Sequence, residues 1–439
     1  MPRIKPFEVF ATTAPGLEPL CEAELSALGI RGKIGEGGVF WSGSMESVAR
    51  ANLWLRTASR VLVRVAEFRA KAFFELELNA KRIEWQQWVA PGSAVEFRVT
   101  CRKSKLYHSD AVAQRFSESV ARRVSGVRVI EAESDEDEGK SAKNAKSAKS
   151  GESAKSAKSA KSAKSRSLAP LVMTPSGDPR APHDRSTVPP LNRSTAPQLF
   201  VVRFLHDVCT VSVDTSGALL HLRGYRQQLA KAPLRETLAA AVLLGSGWKG
   251  DTPLVDPMCG SGTIPIEAAL IARRIAPGRH RSFAFLDWPN ADAAMWKRAL
   301  DEARENELPA SPVEITGSDR DEGAIAAAKS NAERAGVAGD VHFTVQPISA
   351  LGEAPSPGHI VANPPYGVRV GETDRLRNLY AQLGNVARRN RAGWTLALLS
   401  ADRTLEQQAK LGFKECLRTR NGGIPVRLVA ATVPAAGSR

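Results

Sequence analysis

Asn363, Pro364, Pro365 and Tyr366 place an amide, two proline rings and an aromatic in succession, directly after the apolar run HIVA. Proline has no N–H to donate and fixes its own φ, so the run holds its backbone stiffly. At the end of a strand it would project the Asn363 amide and the Pro364 carbonyl side by side. Two neighbouring acceptors suit the two hydrogens of an exocyclic NH2 group. Tyr366 offers a flat face of the kind that grips splayed-out bases. Holding such an amine with its lone pair free toward an electrophile is catalysis by positioning, with no metal and no covalent nucleophile. Alone, these four residues are an ordinary turn, and their weight depends on the elements around them.

Upstream, VDPMCGSGT reads as a strand ending at Asp256, followed by Pro257 and a turn through Gly260 and Gly262 into a helix. Glycines there let a ligand approach the backbone above the strand ends. The turn lacks the lysine of a phosphate-binding loop and the third glycine of G-x-G-x-x-G. The next strand ends in GSDRD, where the Asp319 carboxylate is placed to accept both ribose hydroxyls of a nucleoside. Two strand-end acids and a glycine turn without a phosphate device favour S-adenosylmethionine, with NAD as the alternative.

These motifs sit in a chain of 439 residues, enough for two or three domains. No apolar run approaches membrane-spanning length, and the N-terminus lacks a signal-type segment, so a cytoplasmic protein with no membrane partner is expected. Five dispersed cysteines form no C-x-x-C or Cys/His cluster, which points away from a disulfide framework or a metal site. The net charge is +15, and the Ser-Ala-Lys-rich stretch is not its main source. Residues 131–199 carry 8 Lys and 4 Arg against 9 acids, a balance of +3 that leaves +12 on the rest. An excess on the folded parts fits a polyanionic partner, nucleic acid first.

Residues 131–197 run from an acidic opening through Ser-Ala-Lys repeats to a Pro/Ser/Thr-rich end, too poor in large apolar groups to repay chain entropy. They are expected to be disordered, as a basic tether for RNA or a tolerated insertion. Before them the pattern is α+β. FEVFATT and GGVFWSG read as strands, LEPLCEAELSALGI and MESVARANLWL as helices, and RVLVRVAEFRA as a half-exposed strand. AVEFRVTCRKSKLYHSDAVAQRFSESVARRVSG gives a strand, a basic loop and a helix. QLFVVRFLHDVCTVSVDTSG adds two strands after the insertion, which therefore interrupts a domain. From about residue 215 strands and helices alternate, as in a mainly parallel, doubly wound sheet.

DPMCGSGT, GSDRD and NPPYG together resemble class I S-adenosylmethionine-dependent amino-methyltransferases. FATTAPGLEPLCEAELSALG, SKLYHSDAVAQR, VSVDTSGALLHLRGYR, APLRETLAAAVLL and NPPYGVRVGE narrow the resemblance to the THUMP-domain guanine-N2 methyltransferases, over nearly all the chain outside 131–197. That family modifies bacterial large-subunit ribosomal RNA (23S) and, in a sister branch, tRNA. The resemblance implies a ferredoxin-like domain over 1–65, a THUMP RNA-binding domain over 66–214 and a Rossmann-like α/β methyltransferase domain over 215–439. It implies cofactor contacts from Asp256, Pro257, Gly260, Gly262 and Asp319, and a guanine held by Asn363, Pro364 and Tyr366. RNA contacts are implied for Lys103, Lys105, Tyr107 and His108, His108 being equally suited to a helix N-terminus, and Arg223 and Arg226 are candidates for phosphates. One departure is Gln346 followed by Pro347, where relatives often carry an acid for the adenine amine; the Gln amide oxygen is the substitute. Some bacterial homologues fuse a second methyltransferase domain, which this chain is expected to lack. Protein glutamine methylation, DNA adenine methylation and a non-catalytic RNA-binding assembly factor are the competing functions.

Overall fold

The computed structural model describes residues 6–131, 196–226, 234–354, 357–366 and 373–434. The chain opens with β1 (Phe7–Thr13), α1 (Glu18–Ala27), β2 (Lys33–Gly35), β3 (Gly38–Gly43), α2 (Met45–Trp54) and β4 (Ala58–Arg69). Strand alternation sends Val9, Ala11, Val39, Trp41, Val61 and Val63 to one face, where they are buried with Cys21, Leu25 and Val48 of the two helices. Beyond the end of α1, Gly29 takes a φ of 73°, a left-handed turn that glycine adopts without penalty. The strands pair antiparallel in the order β2-β3-β1-β4.

That sheet does not stop at β4. After α3 (Phe73–Ala80), β5 (Ala94–Arg102), α4 (Ser109–Arg123) and β6 (Arg128–Ile130) come β7 (Gln198–Leu205) and β8 (Val208–Asp214). The eight strands form one sheet, β2-β3-β1-β4-β8-β7-β5-β6. β4 pairs with β1 through its first half and with β8 through most of its length, its register shifting between Arg64 and Ala66. The expected boundary between residues 65 and 66 thus falls inside a shared strand, at its irregularity. The expected disorder of 131–197 falls almost wholly outside the described residues; its flanks, β6 and β7, both pair with β5.

The second half contains α5 (Glu236–Gly245), β9 (Leu254–Asp256), α6 (Thr263–Ala272), α7 (Ala293–Glu305), β10 (Ile315–Asp319), α8 (Glu322–Ala335) and β11 (His342–Val345). It continues with β12 (His359–Ala362), α9 (Thr373–Asn390), β13 (Thr395–Ser400), α10 (Arg403–Gln408), β14 (Lys414–Asn421) and β15 (Ile424–Thr432). Its seven strands run β11-β10-β9-β12-β13-β15-β14, parallel except for β15. Apolar clusters cover both faces: Ile264, Ala268, Ile325 and Ala328 on one, Tyr380, Leu383, Trp394 and Leu405 on the other. This is the doubly wound α/β sheet expected, with an antiparallel β14–β15 hairpin that strand–helix alternation does not foretell.

A buried charge cluster joins the two halves. The Arg56 guanidinium, from the turn after α2, donates to the Ile275 carbonyl at 2.7 Å, and Arg223 donates to the Arg56 carbonyl at 2.9 Å. Arg223 Nε lies 3.1 Å from Glu267 Oε1 on α6, and the Tyr225 hydroxyl donates to the same oxygen at 2.9 Å. Arg226 lies 3.3 Å from Glu236 of α5 and donates to the Leu234 carbonyl at 2.6 Å. These contacts correct the expectation that Arg223 and Arg226 grip RNA phosphates: Arg223 is 5% exposed, and both guanidiniums are turned onto protein carboxylates. Removing one member of a buried ion pair leaves its partner uncompensated, at a cost of about 3–5 kcal/mol. Glu267→Ala should therefore lower the urea midpoint steeply, whereas Asp301→Ala, which breaks an exposed pair with Lys297, should leave it unchanged.

Candidate active site

In an open α/β sheet the ligand crevice lies beyond the carboxyl ends of the strands, where the strand order reverses. Here that place is between β9 and β12, and every sequence-predicted cofactor and catalytic residue lies at the carboxyl end of β9, β10, β11 or β12.

Asp256 ends β9, is 1% exposed and accepts the Met258 N–H on Oδ1 at 3.1 Å. Burial pushes its carboxyl up to about 8, and the nearby Asp319 carboxylate adds to the shift. Pro257 is buried beside it. Asp319, at the end of β10, accepts the Gly260 N–H on Oδ2 and the Asp321 N–H on Oδ1, each at 3.0 Å. One carboxylate thus ties the glycine turn to the neighbouring strand while each of its oxygens keeps a further acceptor direction. Gly260 has a φ of 53°, and a Cβ there would meet nothing within 4 Å, so open space lies above the turn. Gly262 is glycine for the opposite reason: a Cβ would stand 2.8 Å from the Ala328 Cβ, wedging α6 off α8. Gln346 is half-buried just beyond β11, its N–H donating to the Asp319 carbonyl at 2.9 Å. Carboxylates and backbone amides around an open turn suit hydroxyls and a cationic centre, so these residues fit S-adenosylmethionine. Cys259 lies in the same turn, but burial pushes its thiol well up and leaves it no nucleophile.

Asn363 follows β12 and is half-buried; Pro364 is buried and Pro365 exposed. The Tyr366 hydroxyl donates to Asn363 Oδ1 at 2.5 Å and accepts from the Asn421 side-chain amide at 3.0 Å. The ring packs against the cluster under the sheet, and burial pushes the phenol up to about 12, keeping it a donor. One of the two lone-pair directions of Asn363 Oδ1 is therefore taken by Tyr366. Asn421 was not among the residues picked out from the sequence. It ends β14 before Gly422 and Gly423, which turn with φ of 53° and 84° into Ile424, its strand partner. An Asn-Gly-Gly between two strand-length segments is the signal of such a hairpin. What no sequence pattern gives is that the hairpin reaches the NPPY turn. Residues 367–372 lie outside the described residues.

The other candidates are elsewhere. Lys103, Lys105, Tyr107 and His108 are exposed on the loop between β5 and α4, with the Tyr107 and His108 rings 4.0 Å apart and His108 at the start of α4. Among the described residues no three His, Cys, Asp or Glu side chains converge as metal ligands, and no helix is long and apolar enough to cross a membrane.

The strand order and glycine turn define a class I methyltransferase dependent on S-adenosylmethionine. Family models match residues 8–62 to the RlmL ferredoxin-like domain and residues 223–430 to the RMKL-like methyltransferase domain. The chain belongs to this RMKL-like methyltransferase family. A ribosomal RNA large subunit methyltransferase K/L of Syntrophotalea carbinolica is 34% identical over 97% of this chain and 53% of its own length, so the chain spans about half of that relative. A structure solved in complex with S-adenosylhomocysteine superposes with a TM-score of 0.75, at 28% identity and 99% coverage of both chains. A Listeria monocytogenes structure, called a predicted N6-adenine-specific DNA methylase, gives a TM-score of 0.74 at 31% identity, covering 98% of this chain and 97% of its own.

The buried Asp256 carboxyl supplies a pH test. Its folded-state pKa of about 8 lies above the unfolded carboxylate value of about 4, so the folded protein holds the proton more tightly. The stability from this group is complete below the lower value and is lost as pH rises through the upper one. Asp256→Asn cannot ionise, so without cofactor its urea midpoint should gain on the wild type between pH 6 and pH 9. Parallel curves for the two proteins would remove the assignment.

Proposed function

We propose that the protein methylates the exocyclic N2 amine of a guanosine in RNA, with large-subunit ribosomal RNA as the substrate. The observation that carries this is the NPPY turn at the end of β12, in the crevice bounded by Asp256, Asp319 and the open glycine turn. Bound there, the cofactor supplies an electrophilic methyl group on a sulfonium. Asp319 accepts its ribose hydroxyls through the free acceptor directions, Gly260 gives it room, Gly262 lets the turn pack against α8, and Gln346 takes the adenine amine. The remaining lone pair of Asn363 Oδ1 and the Pro364 carbonyl accept the two hydrogens of the substrate amine, leaving its lone pair unshared and aimed. Tyr366 fixes the Asn363 amide through its hydroxyl and presents ring edge or face to the base.

RNA as substrate is supported by the name of the ribosomal relative, by the +12 outside the insertion and by the exposed Lys103, Lys105, Tyr107 and His108, on the segment we assign to a THUMP domain over 66–214. A second reading, N6 methylation of adenine, is favoured by the name of the Listeria relative, since the same two acceptors serve either amine. Radiolabelled S-adenosylmethionine with total RNA from a deletion strain separates them. Label in N2-methylguanosine of large ribosomal RNA is expected. Label in tRNA would move the substrate, and label only in DNA adenine or in protein would sink the RNA assignment. Asn363→Ala should cut turnover by at least about 100-fold while leaving cofactor affinity near wild type, the scale for a positioning group felt only at the reacting centre. A matching collapse in cofactor affinity would assign Asn363 to the wrong ligand.

A further inference from the structure

We infer that the helix-free face over β1, β2 and β3 is a second RNA surface, binding unpaired bases on the Phe10–Phe40 stack. The face closes at β4, where Leu62, the partner of Phe10, is 6% exposed, and the inference rests on the RNA reading above. The topology β1-α1-β2-β3-α2-β4 with strand order β2-β3-β1-β4 is that of RNA-recognition sheets whose exposed aromatics stack two or three bases. In this chain the aromatics are on the two central strands. Because Val9, Ala11, Val39 and Trp41 face the helices, the alternation turns Phe10 and Phe40 to the opposite face. They are direct cross-strand partners, stacked with ring centroids 4.1 Å apart and planes 25° from parallel. Phe40 is 37% exposed, an unusual placement for a stacked phenylalanine pair.

The rings meet the sheet by their edges. A Cβ on Gly35 would stand 2.5 Å from Phe40 Cε2, and one on Gly38 would stand 2.0 Å from the Ala11 carbonyl oxygen and 2.7 Å from Phe10 Cζ. Glycine at position 35 makes room for the Phe40 ring, whose exposure leaves it available to a further flat group. Lys33, the strand partner of Phe40, is exposed beside it, placing a cation where the phosphates of a stacked strand would run, and Arg31, two residues earlier in the chain, is also exposed. With Lys33 beside the stack, and Glu8 on the same face of β1 met by Arg64 at 2.9 Å, the face fits a single-stranded nucleic acid better than a protein partner, which would leave Lys33 to be desolvated.

The competing explanation is that the rings only cover strand glycines. Leucine covers them equally well and cannot stack, so Phe10→Leu and Phe40→Leu decide the matter. Fluorescence anisotropy of the full chain with a labelled single-stranded RNA of about ten nucleotides should show each variant binding about fivefold or more weakly, with Phe→Tyr variants binding as wild type. Binding of duplex RNA and of S-adenosylmethionine should be unchanged. Wild-type affinity in the leucine variants, or an equal loss for duplex and single strand, would overturn the inference and leave the RNA substrate standing. Failure of the wild type to bind any RNA would instead remove the reading on which it rests. Photo-cross-linking of wild type to 5-iodouridine RNA gives a check that needs no variant: cross-links are expected in the peptides holding Phe10 and Phe40, and their restriction to other peptides would overturn it.

Discussion

Glu267 carries the connection on which the rest of this molecule depends. It lies on the helix that springs from the glycine turn, has no solvent contact, and receives Arg223 and Tyr225 from the segment leaving the first sheet. Arg223 in turn holds the backbone of Arg56, whose guanidinium caps a carbonyl beyond the same helix. A buried carboxylate is tolerated only when its charge is met, so the halves cannot separate here without exposing unpaired ions. Arg334 extends the connection. It donates to the Tyr225 carbonyl at 2.7 Å and to Asn331, which donates to the Ser261 carbonyl between the two loop glycines at 3.0 Å. The segment joining the halves is therefore hydrogen-bonded, through two side chains, to the turn beneath the cofactor.

Within the second sheet the chemistry follows from where parallel strands end. β9, β10 and β12 stop together, so acids and amides far apart in sequence share one edge. Asp319 satisfies the Gly260 N–H of the glycine turn and the Asp321 N–H of its own loop, tying the turn to the end of β10 with space left above it. The β14–β15 hairpin completes the edge from the far side by bringing Asn421 to Tyr366.

Much of this was legible in the residues. NPPY after HIVA, the glycine turn after Asp256 and the acid in GSDRD are local signals: each needs only its own strand to be read, and the structure puts them on one edge. The linker arginines were misread for a physical reason. HLRGYR has the look of a basic surface strand, and burial of Arg223 and Arg226 requires carboxylates from α5 and α6 that no local pattern associates with them. The boundary between residues 65 and 66, implied by the resemblance, lies within β4, through which hydrogen bonding to both β1 and β8 runs.

The sequence by itself determined the alternating elements, the glycine turn with its strand-end acids and a stiff turn after β12, because periodicity, proline stiffness and strand-end residues act over a few positions. Tertiary structure alone decided that eight strands from two expected domains fuse into one sheet, that Asn421 reaches the NPPY turn and that the linker arginines serve the protein's own carboxylates. Those are pairings across about 10 to more than 150 positions of chain, set by which strands share an edge and which charges must be met when water is excluded.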